Sequence, residues 1–127
     1  MPTEAPNPAS TTLPFDDFWS WLKAHRNCIV RAGTPYSVLM DHEDYHWDVL
    51  QEEGETQILQ LVRGKELVGE IIVMAAEIAY VHCPPSESEE QLFECVVETP
   101  QAREVVYHFA MAHSFDGEPT QSRAWTH

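Results

Sequence analysis

The segment Glu104-Val105-Val106-Tyr107-His108-Phe109-Ala110-Met111-Ala112-His113-Ser114-Phe115 decides between two folds. Read with a period of two, Val105, Tyr107, Phe109, Met111, His113 and Phe115 make a face of large residues. Val106, His108, Ala110, Ala112 and Ser114 make an opposite face of mostly small ones, which is a strand pattern. The length and the alanines also permit a closing helix. The alternation favours the strand, and Thr99-Pro100-Gln101-Ala102 then joins it to Leu92–Glu98 as a long hairpin.

Working outward, short runs rich in Val, Ile, Tyr and Trp recur about every ten residues between turn signals, the rhythm of an antiparallel sheet. The expected strands are Cys28–Ala32, Ser37–Asp41, His46–Gln51, Thr56–Arg63, Glu66–Val73, Ile78–Cys83 and Leu92–Glu98. Gly33-Thr34-Pro35, Glu53-Gly54-Glu55 and Gly64-Lys65 punctuate them. Gly at the first central position of Arg63-Gly64-Lys65-Glu66 supplies the positive φ of a type II′ hairpin turn. Pro84–Glu90, with two prolines and three glutamates, reads as an exposed loop.

One helix precedes these strands. Phe15, Phe18, Trp19 and Leu22 fall at i, i+3, i+4 and i+7, an apolar stripe over residues 14–26. Thr12 is its expected N-cap, with Asp16 and Asp17 suiting the positive end of the helix dipole and Lys23, His25 and Arg26 the negative end. Asn27 is the expected residue just past its end. Trp21 lies off the stripe, and either packs on a neighbouring element or stands exposed for a partner. The expected fold class is α+β: an N-terminal amphipathic helix packed on a curved, mainly antiparallel sheet of about six to eight strands. The stripe should cover Leu39, Trp47, Leu59, Leu61, Ile71 and Phe93. The 127 residues then divide into a disordered leader at 1–13, a single domain at 14–116 and a flexible tail at 117–127.

Composition excludes several functions. Seven Lys and Arg against 21 Asp and Glu leave a net charge of −14 and a pI near 4.6, which disfavours nucleic acid and anionic membranes. The longest apolar run, Ile71–Ala76, is far short of a bilayer span, and the N-terminal residues lack the pattern of a secretory signal. Three cysteines, Cys28, Cys83 and Cys95, are an odd number with no C-x-x-C pair, so a reduced, cytoplasmic setting is expected. All three read as small buried hydrophobes, with Cys28 between Arg26 and Arg31 having the most favourable local charge for a thiolate.

Chemistry-bearing motifs are few. G-x-S-x-G, G-x-G-x-x-G and the phosphate-cradling glycine loop are absent. His42-Glu43-Asp44-Tyr45-His46 matches the letters of H-E-x-x-H, in which two imidazoles one helical turn apart hold zinc and the Glu acts on its water. If the run is extended instead, His42, Asp44, His46 and Asp48 share one strand face while Tyr45 and Trp47 pack inward. A strand then needs His82, Cys83, His108 or His113 from elsewhere to complete a metal site. His108 and His113 do not chelate together on either a strand or a helix.

The remaining signal is acidity, clustered at Asp41–Asp48, Glu52–Glu55 and Glu87–Glu90. Such a field steers basic partners. The expected function is a non-enzymatic, acidic protein-binding or adaptor module, acting without a cofactor as a neutralising, chaperone-like or regulatory partner of a basic protein. Trp21, Glu52, Glu53 and Glu55 are its expected partner-binding residues, and an open strand edge would also allow a homodimer. The alternative is a divalent-metal protein, hydrolytic or not, with a metal such as zinc held at His42, Glu43 and His46. A small-molecule pocket between helix and sheet would have no residue signature.

Overall fold

A computed structural model of the chain describes residues 11–51, 56–86 and 88–116. In chain order the elements are β1 (Thr11–Leu13), α1 (Phe15–Ala24), β2 (Ile29–Thr34), β3 (Ser37–Met40) and β4 (His46–Gln51). There follow β5 (Thr56–Arg63), β6 (Glu66–Met74), β7 (Tyr80–Cys83), β8 (Gln91–Glu98) and β9 (Arg103–Met111). Short 3-10 turns at Arg26–Cys28 and Ala75–Glu77 link α1 to β2 and β6 to β7. No helix among the described residues is long and apolar enough to cross a membrane.

The strands form two sheets, where one curved sheet was expected. The larger has the order β1-β7-β8-β9-β2-β3 and the smaller is the meander β4-β5-β6, with every pairing antiparallel. The division falls at the turn following β3, where Tyr45 N–H bonds to the His42 carbonyl at 2.9 Å and the chain leaves the larger sheet. Alternation in a sequence states which face a residue takes, but not which strand lies beside it. The protein is mainly β with one N-terminal helix.

The segment 104–115 is a strand as far as Met111. As β9 it pairs with β8 on one side and β2 on the other, placing Phe109 of the inner face between Phe93 and Ala32. A helix could not satisfy both neighbours. The hairpin β8–β9 turns at Thr99, whose Oγ1 accepts from the Gln101 and Ala102 amides at 3.3 and 3.1 Å. In the β5–β6 hairpin Gly64 has φ 62° and Lys65 does not share the positive φ, which fits the type II′ turn.

Helix α1 buries its whole stripe, Phe15, Phe18, Trp19 and Leu22, and Trp21 with it. Phe18 sits 4.9 Å from the Phe93 ring and 5.5 Å from Phe109, while Trp19 Nε1–H donates to Gln57 of β5 at 3.1 Å. The helix thus joins the two sheets around one core, to which the meander adds Trp47, Leu59, Leu61, Ile71 and Val73. Both of its expected boundaries change. The N-cap is Pro14 in extended backbone, without a side-chain cap bond, because Thr12 is drawn into β1 opposite His82. Thr11–Leu13 therefore belong to the domain, where a leader ending at residue 13 was expected. At the other end His25 caps the helix, its Nδ1–H donating to the Trp21 carbonyl at 2.9 Å, and residues 26–28 tighten into the 3-10 turn.

Candidate functional site

The H-E-x-x-H letters do not lie on a helix. His42 and Glu43 occupy an exposed turn and His46 opens β4, since Trp47 is drawn into the core and sets a strand phase on the residues around it. The His42 Nδ1 accepts the Asp44 amide at 3.2 Å, and His46 Nε2 lies 3.5 Å from Asp48 on the same strand face. Among the described residues no three His, Cys, Asp or Glu side chains gather as a metal ion requires. Of the expected zinc ligands, His42 and His46 thus make local contacts with Asp44 and Asp48, and Glu43 is exposed in the turn between them.

Trp21 is buried, so the packing alternative holds over the exposed one. Its ring lies 5.4 Å from Phe93, 5.2 Å from Phe115 and 5.6 Å edge-on to His113, and its Nε1–H donates to the Asp116 carboxylate. Glu52, Glu53 and Glu55 lie outside the described residues. Cys83 and Cys95 are buried, and burial pushes the Cys83 thiol up to about 11 and Cys95 higher still, so neither is a ready nucleophile. Cys28 is half-buried.

The concavities among the described residues were not visible in the sequence, and two of them bring together polar groups from several strands. On the outer face of the larger sheet, a hollow of about 260 Å³ is floored by Val96 and edged by Tyr80, His82, Glu94 and Arg103. Here His82 Nδ1 meets Glu94 Oε1 at 2.9 Å across paired strands, while the neighbouring Cys83 faces inward. Arg103 donates to the Tyr80 hydroxyl at 3.3 Å.

The larger concavity is an open groove of about 710 Å³ where the two sheets meet. The tip of the β2–β3 hairpin (Thr34, Pro35, Tyr36) forms one wall, Ile72 of β6 another, and Glu104–Tyr107 of β9 the third. The Tyr107 hydroxyl accepts the Met74 amide at 3.0 Å, tying the edge of the smaller sheet to the larger one. Burial raises the Tyr107 pKa, which keeps this hydroxyl protonated. Tyr36 is 94% exposed above the groove, and Ile72 and Val105 are exposed in its lining. The carboxylates of Glu77 and Glu104 stand at its rim.

Three exposed apolar side chains, Tyr36, Ile72 and Val105, line this groove, and others lie on β3 and β6. Val38 and Met40 continue from Tyr36 along β3, Met74 follows Ile72 on β6, and Leu67 and Val68 lie at the other end of β6. The signal for them is Val38-Leu39-Met40, three apolar residues in a row where a half-solvated strand would alternate. Charge is segregated in the same part of the chain. Between Arg31 and Arg63 there is no Lys or Arg, and apart from two histidines every ionisable acid–base side chain that can carry charge near neutral pH there is a carboxylate. Comparison with protein-family models, curated proteins and solved structures finds no match to this chain.

Proposed function

We infer that the protein is a non-enzymatic binding module for a basic protein partner, and that the groove between the sheets is its docking face. One observation carries this reading: the exposed apolar residues Tyr36, Ile72 and Val105 line a groove at whose rim Glu77 and Glu104 stand, and Tyr36, with the exposed Val38 and Met40 after it, belongs to a stretch of chain without Lys or Arg. Apolar side chains grouped on a surface are a binding feature rather than a folding one. The surrounding carboxylates bias the choice of partner and speed its approach. A second copy of the chain would bring the same negative field to the contact, so the reading favours a cationic partner over self-association.

The test uses defined probes. Synthetic peptides of equal length, carrying apolar anchors with either Lys and Arg or Glu and Asp, are titrated against the protein at several salt concentrations. Only the basic set should bind, and more weakly as salt rises. The double variant Glu77→Lys, Glu104→Lys should lose about tenfold in affinity, or about 1.4 kcal/mol, and show a shallower salt dependence. Charge reversal across Glu52, Glu53 and Glu55 tests the acidic stretch beyond the described residues in the same way. Equal binding of acidic and basic peptides, or salt-independent affinity, would overturn the reading.

A further inference from the structure

We propose that the outer edge of β3 captures its partner by strand addition, taking an extended segment of about five residues with apolar side chains at its centre and Lys or Arg at its ends. This rests on the basic-partner reading and specifies how that partner is held.

Four strands end the two sheets: β1 and β3 in the larger, β4 and β6 in the smaller. Two of them carry a contact over part of their length. The Met74 amide of β6 is taken by the Tyr107 hydroxyl, and β4 lies against the Arg26–Cys28 turn. The short β1 adjoins residues outside the described set. That leaves β3. In an antiparallel pair, successive residues direct their N–H and C=O alternately toward the partner strand and away from it. Asp41 N–H donates to the Val30 carbonyl of the β2 side at 2.9 Å, and Thr34 pairs with Ser37 across the two-residue turn. Ser37, Leu39 and Asp41 therefore face β2, and the main-chain groups of Val38 and Met40 face away from the sheet.

The side chains point the same way functionally. Natural edge strands are commonly blunted by Lys, Pro or an inward charge. The four residues of β3 carry none of these, and Val38 and Met40 are 45% and 54% exposed. Leu39 packs inward over Gly69 of β6, and the Tyr36 amide donates to Thr34 Oγ1 at 3.1 Å, so both the strand and its turn are held in place before any partner arrives. Charge identifies the occupant. Exposed Asp41, Glu43 and Asp44 follow one end of β3, and Glu77 and Glu104 lie beyond Tyr36 at the other. A bound strand at about 3.3 Å per residue would set apolar residues on Val38 and Met40 and its flanking cations among these carboxylates.

Backbone methylation of the probe tests this without altering the protein. Two versions of a basic, valine-centred peptide are made, with N-methyl groups on one or the other alternate set of central amides. One set should lose binding at least tenfold and the other should retain it, since only one set of amides can face β3. On binding, the Val38 and Met40 amides should become slow to exchange with deuterium while Ser37 and Leu39 are already slow. Val38→Pro removes one outward amide without touching the β2 ladder, and should bind the unmethylated peptide at least tenfold more weakly with unchanged melting. Equal binding of both methylated peptides, with no new protection at Val38 and Met40, overturns strand addition and leaves the basic-partner reading standing. Failure of every basic peptide to bind overturns both. A concentration-dependent dimer of the free protein that protects the same two amides would assign the edge to a second copy and also overturn the proposal.

Discussion

Gly33 and His108 show how closely the larger sheet is fitted at the level of single residues. A methyl group at Gly33 would come within 2.6 Å of the Ser37 carbonyl oxygen and 2.8 Å of the His108 ring. Main chain cannot yield as a side chain can, so Gly33→Ala should destabilise the protein by about 1–3 kcal/mol, measured by denaturant unfolding. Adding His108→Ala should recover only part of that loss. If Gly33→Ala unfolds at the wild-type midpoint, the close approach is not a constraint. Asp116 makes a different prediction. The Trp21 indole N–H holds the exposed Asp116 carboxyl below the usual carboxylate range, against a smaller opposing desolvation and with His25 and His113 adding to the lowering. A carboxylate whose folded pKa is depressed contributes stability above its unfolded pKa, and this is lost as the pH falls through the folded value. Asp116→Asn should therefore melt below wild type at pH 7, and the two should converge as the pH drops below the ordinary Asp range. A constant difference down to pH 2 would refute a role for the charge. Neither contact could be anticipated from spacing, because Gly33 and His108 are 75 positions apart and Trp21 and Asp116 are 95 apart.

At the scale of elements, α1 illustrates what periodicity can and cannot state. The stripe identified the helix, and all four of its residues are buried. Trp21, off the stripe, is buried too, because residues 112–116 fold back beside the helix end: the Ala112 amide donates to the Cys28 carbonyl at 2.8 Å and Phe115 reaches the Trp21 ring. The buried arc of α1 is thus wider than one sheet requires. Phe18, fully buried among Phe93, Phe109, Trp19 and Trp21, is its centre. Phe18→Ala should cost about 3–5 kcal/mol by denaturant unfolding, while Lys23→Ala on the exposed side should change little. Equal, small effects would mean that α1 is not held by this face. The strand β3 is the opposite case. Its place in the chain was evident from the turn signals before it, yet its apolar outer positions acquire meaning only from its place at the edge of the sheet.

For the whole molecule, the arrangement of charge and apolar surface matters more than total composition. A net charge of −14 alone is compatible with simple solubility. The fold brings a cation-free stretch, an apolar hairpin and the rim carboxylates of two distant segments to one groove. Salt titration of peptide binding, with and without the reversals at Glu77 and Glu104, reads out that arrangement, because only charges near the contact alter the salt slope strongly.

Local chemistry was decided by the sequence itself. Alternation, turn residues and the helical stripe set which segments extend, which coil and which side chains face inward, since these depend on neighbours within a few positions. The strand phase around Trp47 is likewise local, and it was one of the two readings open for His42–Asp48. Pairing was decided only in three dimensions. That β9 inserts between β8 and β2, that β4, β5 and β6 form their own sheet, and that Tyr107 joins the two sheets depends on contacts between segments far apart in the chain. Such contacts leave no period in a sequence, because each strand specifies its faces by its side chains and its neighbours by main-chain bonds that every residue except proline can make.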